Sequence, residues 1–145
     1  MLYLDSSALV KLYVNELFST EMQQLAQAAD QLLCHVISYV EVRAAFASAE
    51  RGSRISRTDY MRMVARFKRD WLGISQVEVD QALLERAADF AEGFGLRGYD
   101  SLHLAAADRT RQAVGPILTF TSFDHALNRS ARLLGMHLPD FVPSA

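Results

Sequence analysis

The chain of 145 residues contains one cysteine, three prolines and seven scattered glycines. The single cysteine, Cys34, allows no internal disulfide and no cysteine-rich zinc site, and it indicates a reducing compartment. The scattered glycines form no glycine-rich phosphate-binding loop, which argues against a nucleotide-binding domain. No apolar run approaches the ~20 residues that a membrane-spanning helix requires, and no basic flank marks a secretory leader. We therefore expect a cytoplasmic protein without membrane association.

Positive charge is also scarce, because the formal net charge is −2. This balance argues against a protein that coats nucleic acid through global positive charge. It does not exclude an enzyme of nucleic acids, because a bound metal ion can supply positive charge locally. The charge is unevenly spread: from Arg51 to Arg69 there are seven basic residues and one acid, Asp59. This segment is either a solvated helix face or a contact surface for a polyanion.

The length suits one domain over residues 1–145, with its own core. Short apolar runs alternate with helical patterns, which predicts an α/β fold in three layers, with a mostly parallel central sheet flanked by helices. Strands are predicted at 2–4, Leu32–Ile37, Ile74–Val79 and 117–120, with a short one at 137–138. Helices are predicted at Ser6–Val14, 19–29 (capped by Ser19 or Thr20), Tyr39–Arg51, Arg57–Trp71, 81–94, Tyr99–Gln112 and Phe123–Leu134. The end of the chain from Pro139 is predicted to be loosely held.

Four acidic residues stand beside apolar runs at predicted element boundaries: Asp5, Glu41, Asp100 and Asp124. Asp5 and Asp124 follow strands, whereas Glu41 and Asp100 lie in the first turns of helices. Ligands of parallel sheets bind beyond the carboxyl ends of the strands, where these carboxylates are expected to converge. Clustered carboxylates repel one another unless a divalent cation binds between them. The pattern predicts a metal site for phosphodiester chemistry.

Helix capping offers a competing explanation for each acid. Asp5 is a candidate N-cap, as is Asp124 or its neighbour Ser122, and Asp100 can stabilise a helix dipole. Four separate caps explain each acid alone, but they do not explain a joint metal site. The competing function is a non-enzymatic binding module.

Glu41 has the strongest competing explanation, because Ser38-Tyr39-Val40-Glu41 fits a capping box. We nevertheless favour Glu41 as a metal-site residue in the company of the other acids. His103 lies one helical turn beyond Asp100, and it is predicted to pack or to support a ligand residue rather than to bind metal. The remaining histidines show no metal-ligand spacing and are interpreted as structural or exposed.

Aspartyl-phosphate chemistry on a similar sheet is another alternative. Phosphatases that use an aspartate nucleophile typically carry a second aspartate two residues later, and Ser7 occupies that position here. A receiver module needs a lysine after a late strand, whereas the two lysines are Lys11 and Lys68. Both readings are therefore disfavoured.

Four segments in order along the chain resemble the PIN domain, most closely its VapC-type toxins. They are 4–11 (LDSSALVK), 38–42 (SYVEV), 99–107 (YDSLHLAAA) and 122–127 (SFDHAL). The resemblance implies Mg²⁺- or Mn²⁺-dependent cleavage of RNA by Asp5, Glu41, Asp100 and Asp124. Ser7 matches the hydroxyl of the first motif, and Ser122 occupies a position that is often threonine in the family.

The chemistry of metal-assisted phosphodiester hydrolysis suggests a role for each of these residues. Asp5 and Asp100 are the expected direct metal ligands, while Glu41 and Asp124 complete a second site or hold metal-bound waters. Ser7 is expected to orient Asp5 or a ligand water. One or two metal ions are compatible with this set.

The implied partners are RNA, a small VapB-like antitoxin and a second copy of the chain in a homodimer. Arg62 and Arg66 are candidates for contacts to the RNA backbone. Seven apolar residues are candidates either for the core or for an antitoxin groove: Leu9, Leu12, Tyr13, Phe46, Met61, Met63 and Phe67. A PIN nuclease without a toxin role is the alternative, and the RNA target is not predicted.

Overall fold

A parallel four-stranded sheet forms the centre of the computed structural model, which describes residues 1–143. The strands are β1 (Leu2–Leu4), β2 (Leu32–His35), β3 (Ser75–Val77) and β4 (Thr119–Thr121). Their order is β3-β2-β1-β4, and every neighbouring pair is parallel. The carboxyl ends of the strands therefore share one edge. The predicted last strand is reduced to a single parallel bridge between Thr119 and His137.

Helices cover both faces of this sheet. They are α1 (Ser6–Val10), α2 (Ser19–Ala28), α3 (Ser38–Arg51), α4 (Arg57–Trp71), α5 (Gln81–Phe94), α6 (Gly98–Val114) and α7 (His125–Leu133), with a 3₁₀ turn at Gly115–Ile117. Buried side chains of α1 to α4 form one core, and those of α5 to α7 form the other. The predicted three-layer α/β fold is confirmed.

Strand β1 separates the two cores. Leu2 and Leu4 face one core, whereas Tyr3 faces the other and stacks on Phe120 at 5.8 Å between ring centroids. Successive side chains of a strand point to opposite faces, so an uninterrupted apolar strand is buried on both sides. This burial fixes the position of Asp5 at the end of the strand.

Strands β2 and β3 are shorter than predicted, and β4 begins at Thr119 rather than at residue 117. Strand β2 ends at His35 rather than at Ile37, because residues 36 and 37 turn directly into α3. Strand β3 is limited to Ser75–Val77 within the predicted span Ile74–Val79.

Helix α1 ends at Val10 rather than at the predicted Val14. The Lys11 N–H donates to the Ala8 carbonyl at 3.2 Å, an i to i−3 bond that tightens the last turn. The Lys11 ammonium then bonds Glu16 Oε1 at 2.7 Å, which ties down the loop that follows. The next two N–H groups, of Leu12 and Tyr13, also bond three residues back, so the chain continues in tight turns rather than as α-helix.

The predicted cap of α2 by Ser19 or Thr20 is wrong. The N-cap is Phe18, which has a left-handed backbone (φ 67°) and no side-chain capping bond. The Ser19 hydroxyl instead donates to the Val14 carbonyl at 2.7 Å and accepts from the Glu16 N–H at 3.0 Å. The serine closes the preceding loop rather than capping the helix.

The chain end from Pro139 is not loosely held over residues 139–143. The Phe141 ring stacks on Phe18 at 6.2 Å, and the Asn128 side-chain amide donates to the Pro143 carbonyl at 3.0 Å. The last two residues lie outside the described part of the chain.

Most of the apolar residues considered for an antitoxin groove belong to the core. Leu9, Leu12, Phe46 and Phe67 are buried, whereas Met61 is 60% exposed. The other two, Tyr13 and Met63, are partly buried against the same core.

Within residues 1–143, no helix is long and apolar enough to cross a membrane.

Candidate functional site

Asp5 lies at the carboxyl end of the central strand and is 5% exposed. Its Oδ1 atom accepts hydrogen bonds from the Ala8 N–H at 2.9 Å and the Ser7 hydroxyl at 2.7 Å, and its Oδ2 atom accepts from the Ser122 hydroxyl at 2.9 Å. The predicted N-cap is thus present, but capping uses only one of the three bonds. Burial raises the pKa of Asp5, and the charge of His103 and these hydrogen bonds offset part of the rise.

The two serines also connect the ends of β1 and β4. Ser7 Oγ accepts from the Phe123 N–H at 2.8 Å, and Ser122 Oγ accepts from the Asp124 N–H at 3.0 Å. Each hydroxyl therefore bonds Asp5 and the backbone after β4 at once. This arrangement holds the segments that carry Asp5 and Asp124 side by side.

Glu41 does not form the capping box that was its competing explanation. The N-cap of α3 is Ile37, and Ser38 already lies inside the helix. The Glu41 carboxylate instead accepts hydrogen bonds from the Ser6 hydroxyl and, at 2.8 Å, from His103 Nε2. Burial opposes ionisation of Glu41, but the bonds from His103 and Ser6 prevail and lower its pKa. The structure thereby connects α3 with α1 and α6.

Asp100 and Asp124 are joined through an arginine that the sequence patterns did not single out. Arg97 Nε lies 2.8 Å from Asp100 Oδ2, and Arg97 Nη2 lies 3.6 Å from Asp124 Oδ2. Asp100 is in the first turn of α6, and Asp124 caps α7 by accepting the Leu127 N–H at 2.9 Å. The hydrogen bond that Arg97 donates to Asp100, and then the charges of both aspartates, raise the pKa of Arg97.

The four predicted acids therefore reach the same edge of the sheet, but they are linked through other side chains. Ser122 bonds Asp5 and the Asp124 backbone, Ser6 and His103 hold Glu41, and Arg97 connects Asp100 with Asp124. In the described part of the chain, no group of three or more His, Cys, Asp or Glu side chains is placed to hold a metal ion directly.

Two cavities adjoin this edge. One of about 600 Å³ is lined by Glu41 and Asp100 together with Arg97 and the exposed ring of Tyr99. A second, of about 330 Å³, is lined by Glu41, the two serines after Asp5 and Phe123. Glu41 faces both cavities and is the acid best placed to meet a bound molecule.

The arginines predicted to contact RNA lie elsewhere. Arg62 pairs with Asp59, and Arg66 Nε lies 3.4 Å from Asp70 Oδ2. Both line another cavity of about 560 Å³, which also receives Tyr13. This cavity shares Glu16 with the cavity of about 330 Å³, but none of the four acids lines it. The basic segment is not part of the carboxylate cluster.

Sequence reasoning missed Arg97 and undervalued Ser6. Arg97 stands three residues before Asp100, a spacing that can pair side chains across one helical turn. It precedes the predicted start of the helix at Tyr99, so the helical pattern does not single it out. Ser6 was noted only as a neighbour of Ser7, and its bond to Glu41 depends on the tertiary approach of α3.

The sequence pattern of the PIN domain matches residues 2–133. The chain belongs to the PIN-domain family. Ribonucleases VapC45 and VapC49 of Mycobacterium tuberculosis (strains CDC 1551 / Oshkosh and ATCC 25618 / H37Rv) are each 32% identical to it over 136 residues. These alignments cover 93% of this chain and 92% of each relative. The resemblance to VapC-type PIN domains is confirmed.

Solved structures show the same PIN fold. FitAcB from Neisseria gonorrhoeae matches with a TM-score of 0.66 at 14% identity, over 95% of this chain and 96% of that one. The sarcin–ricin loop cleaving toxin VapC20 of Mycobacterium tuberculosis matches with a TM-score of 0.64 at 13% identity, over 90% and 95%. A toxin–antitoxin complex from Klebsiella pneumoniae matches with a TM-score of 0.62 at 17% identity, over 86% of this chain and 87% of that one.

Proposed function

We propose that this PIN domain is a Mg²⁺- or Mn²⁺-dependent endoribonuclease that hydrolyses RNA phosphodiester bonds and acts as the toxin of a toxin–antitoxin pair. The observation that carries the proposal is the nearly full-length similarity to ribonucleases named VapC, in a fold whose sheet edge carries four carboxylates. The proposed catalytic and metal-binding residues are Asp5, Glu41, Asp100 and Asp124, with Ser7 and Ser122 in support.

The donor set fits Mg²⁺ or Mn²⁺, because it consists of carboxylate oxygens, which are hard ligands. Asp5 and Asp100 would hold the ion directly, and Glu41 and Asp124 would act through metal-bound waters or at a second site. Mg²⁺ keeps several waters and needs few protein ligands, so a direct three-acid cluster is not required. When bound, such an ion activates a water and neutralises charge on the phosphate.

The protein prepares two of these carboxylates. A carboxylate has about four lone-pair sites, and Asp5 uses three of them for bonds from Ser7, Ala8 and Ser122, so one remains for a ligand. Its orientation is therefore set before a ligand arrives. The donors Ser6 and His103 lower the pKa of Glu41 and so favour its ionised form, which would bind a metal-bound water beside the substrate.

The test combines metal binding with RNA cleavage. Mn²⁺ should raise the melting temperature of the wild type. At a Mn²⁺ concentration ~100 times Kd, the free energy of unfolding should increase by about 2.7 kcal/mol. Asp100→Asn, alone and with Asp5→Asn, should lose both this response and RNA cleavage. Asp80→Asn is the matched control, since Asp80 also pairs with an arginine and asparagine can replace it as an N-cap.

Two results would contradict the proposal. A full Mn²⁺ response in the double variant would remove the acids from the metal site. Unchanged RNA cleavage after chelation of all divalent cations would exclude metal dependence.

The proposed partners are a small VapB-like antitoxin and a second copy of this chain. An antitoxin arginine could pair with the site carboxylates as a planar, bidentate donor. The test is co-expression with the product of the neighbouring upstream gene, followed by copurification, an RNA-cleavage assay and light scattering for the homodimer. If no such product binds and silences the nuclease, a PIN nuclease without a toxin role becomes the better account.

A further inference from the structure

Arg97 makes two contacts to the proposed metal-binding carboxylates. Its Nε atom lies 2.8 Å from Asp100 Oδ2, and its Nη2 atom lies 3.6 Å from Asp124 Oδ2. The guanidinium thus lies between two acids of the site and offsets part of their mutual repulsion. A cation already lies where the proposed function requires one.

We propose that Arg97 competes with the divalent cation for Asp100 and Asp124 and, once displaced, binds a phosphate of the RNA substrate. This inference rests on the proposed metal-dependent nuclease function. It gives Arg97 two positions: on the carboxylates in the metal-free protein, and on the substrate in the metal-bound protein.

Displacement is feasible because the Arg97 side chain is 81% exposed. Exposed ion pairs are weak, since water screens the charges and the long side chain loses freedom when it is held. A divalent ion that uses the same carboxylate oxygens carries twice the charge of the guanidinium. Arg97 precedes α6 in extended backbone and makes no side-chain capping bond, so its movement leaves the helix intact.

The surroundings of Arg97 favour an RNA phosphate as its second partner. Arg97 lines the cavity of about 600 Å³ that Glu41, Asp100 and the exposed Tyr99 also line, so a displaced guanidinium stays at the mouth of the site. A guanidinium binds phosphate through two parallel N–H bonds. A site rich in carboxylates otherwise repels a polyanion, and a nearby arginine reduces that repulsion.

The first measurement is Mn²⁺ affinity by calorimetric titration of the full chain. Arg97→Gln should bind Mn²⁺ about two- to fivefold more tightly than the wild type, as expected for the loss of one exposed competing ion pair. Arg97→Lys should lie between them. Arg109→Gln is the matched control, because it also breaks one arginine–aspartate pair, the 2.6 Å contact of Arg109 with Asp80. Arg109 lies about 18 Å from Arg97 along α6, away from the site.

The second measurement is the salt dependence of RNA binding with Mn²⁺ present. Fluorescence anisotropy with a single-stranded RNA analogue that resists cleavage, in a background that keeps all four acids, should show that Arg97→Gln lowers the salt slope by about 0.7. This is the value for one phosphate contact on a single strand. Arg109→Gln should keep the full slope. A role of Arg97 in stability alone would move neither quantity.

The outcomes separate this inference from the function on which it rests. Equal Mn²⁺ affinity, or an unchanged salt slope, in Arg97→Gln overturns the inference while metal binding by the wild type stands. If the wild type binds no Mn²⁺, the metal-dependent function fails and the inference fails with it.

Discussion

The Nε2 atom of His103 lies 2.8 Å from Oε2 of Glu41, and this bond joins α6 to α3 across the end of the sheet. The two helices belong to opposite layers of the fold, so the contact connects the layers at the site. Because an ionised carboxylate only accepts, His103 must carry its proton on Nε2. The histidine therefore supports Glu41, which is one of the two roles that the sequence predicts for it.

This relationship predicts a change in the ionisation of Glu41. His103→Ala removes a donor that lowers the Glu41 pKa, so that pKa should rise. In His103→Gln the Glu41 pKa should rise less, because the glutamine amide can donate from a similar position. The measurement is a carbon-13 NMR titration of the glutamate carboxyls, with RNA cleavage recorded in parallel. If Glu41 has the same pKa in His103→Ala as in the wild type, His103 does not lower the pKa of Glu41.

A second prediction concerns helix capping at Ser38. Ser38 is buried inside α3 and does not cap it, so Ser38→Ala removes no capping bond and should lower the free energy of unfolding by less than the loss of a cap. Ser56 caps α4 by accepting the Asp59 N–H at 3.0 Å, so Ser56→Ala should lose about 1 kcal/mol. Urea unfolding of both variants gives the comparison. A larger loss at Ser38 than at Ser56 would restore the capping box.

Local patterns predicted much of this fold because burial sets them. Strand β1 is apolar on both faces, and the helical periods of α3, α4 and α5 coincide with the observed elements to within a residue. Capping was less predictable, since Ser19 and Ser38 fit the local rules but their hydroxyl groups do not cap. The Ser19 hydroxyl closes the loop before α2, and α3 begins one residue earlier than the capping box requires, with Ile37 as its N-cap.

The site was predictable in part for the same reason. Acids that follow strands reach one sheet edge by topology alone, as Asp5 and Asp124 do. The partners of those acids come from distant parts of the chain. Ser6 meets Glu41 only because α1 packs on α3, and Arg97 meets Asp124 only because α6 begins beside the end of β4.

The basic segment provides a third prediction. If Arg62 and Arg66 contact the RNA backbone, replacing both with alanine should lower the salt slope of RNA binding by about 1.4, the value for two contacts on a single strand. Each arginine already has an acidic neighbour, so the change to alanine also frees Asp59 and Asp70. Asp59→Asn with Asp70→Asn controls for that effect. An unchanged slope would leave their cavity to a partner other than RNA.

The last prediction is a pH dependence of stability that arises from His35. This residue ends β2, is fully buried, and accepts the Ile37 N–H on Nδ1 at 3.1 Å, so its single proton resides on Nε2. Burial and then the charge of the neighbouring His103 lower the pKa of His35 to about 4, although Glu41 opposes the shift. The folded chain therefore holds His35 neutral where an unfolded chain would protonate it.

The sign follows from proton binding. Below about pH 6.5 the unfolded chain binds a proton at His35, whereas the folded chain does not bind it until the pH approaches 4. The contribution of His35 to stability is therefore complete above about pH 6.5 and decreases as the pH drops towards 4. The difference between the two pKa values corresponds to roughly 3 kcal/mol at its limit. His35→Asn keeps an acceptor for the Ile37 N–H but cannot titrate, and it should lose most of this fall. The measurement is urea unfolding at several pH values, with His137→Asn, a substitution of an exposed histidine, as the control. If His35→Asn loses as much stability at low pH as the wild type does, the acid sensitivity belongs to other groups.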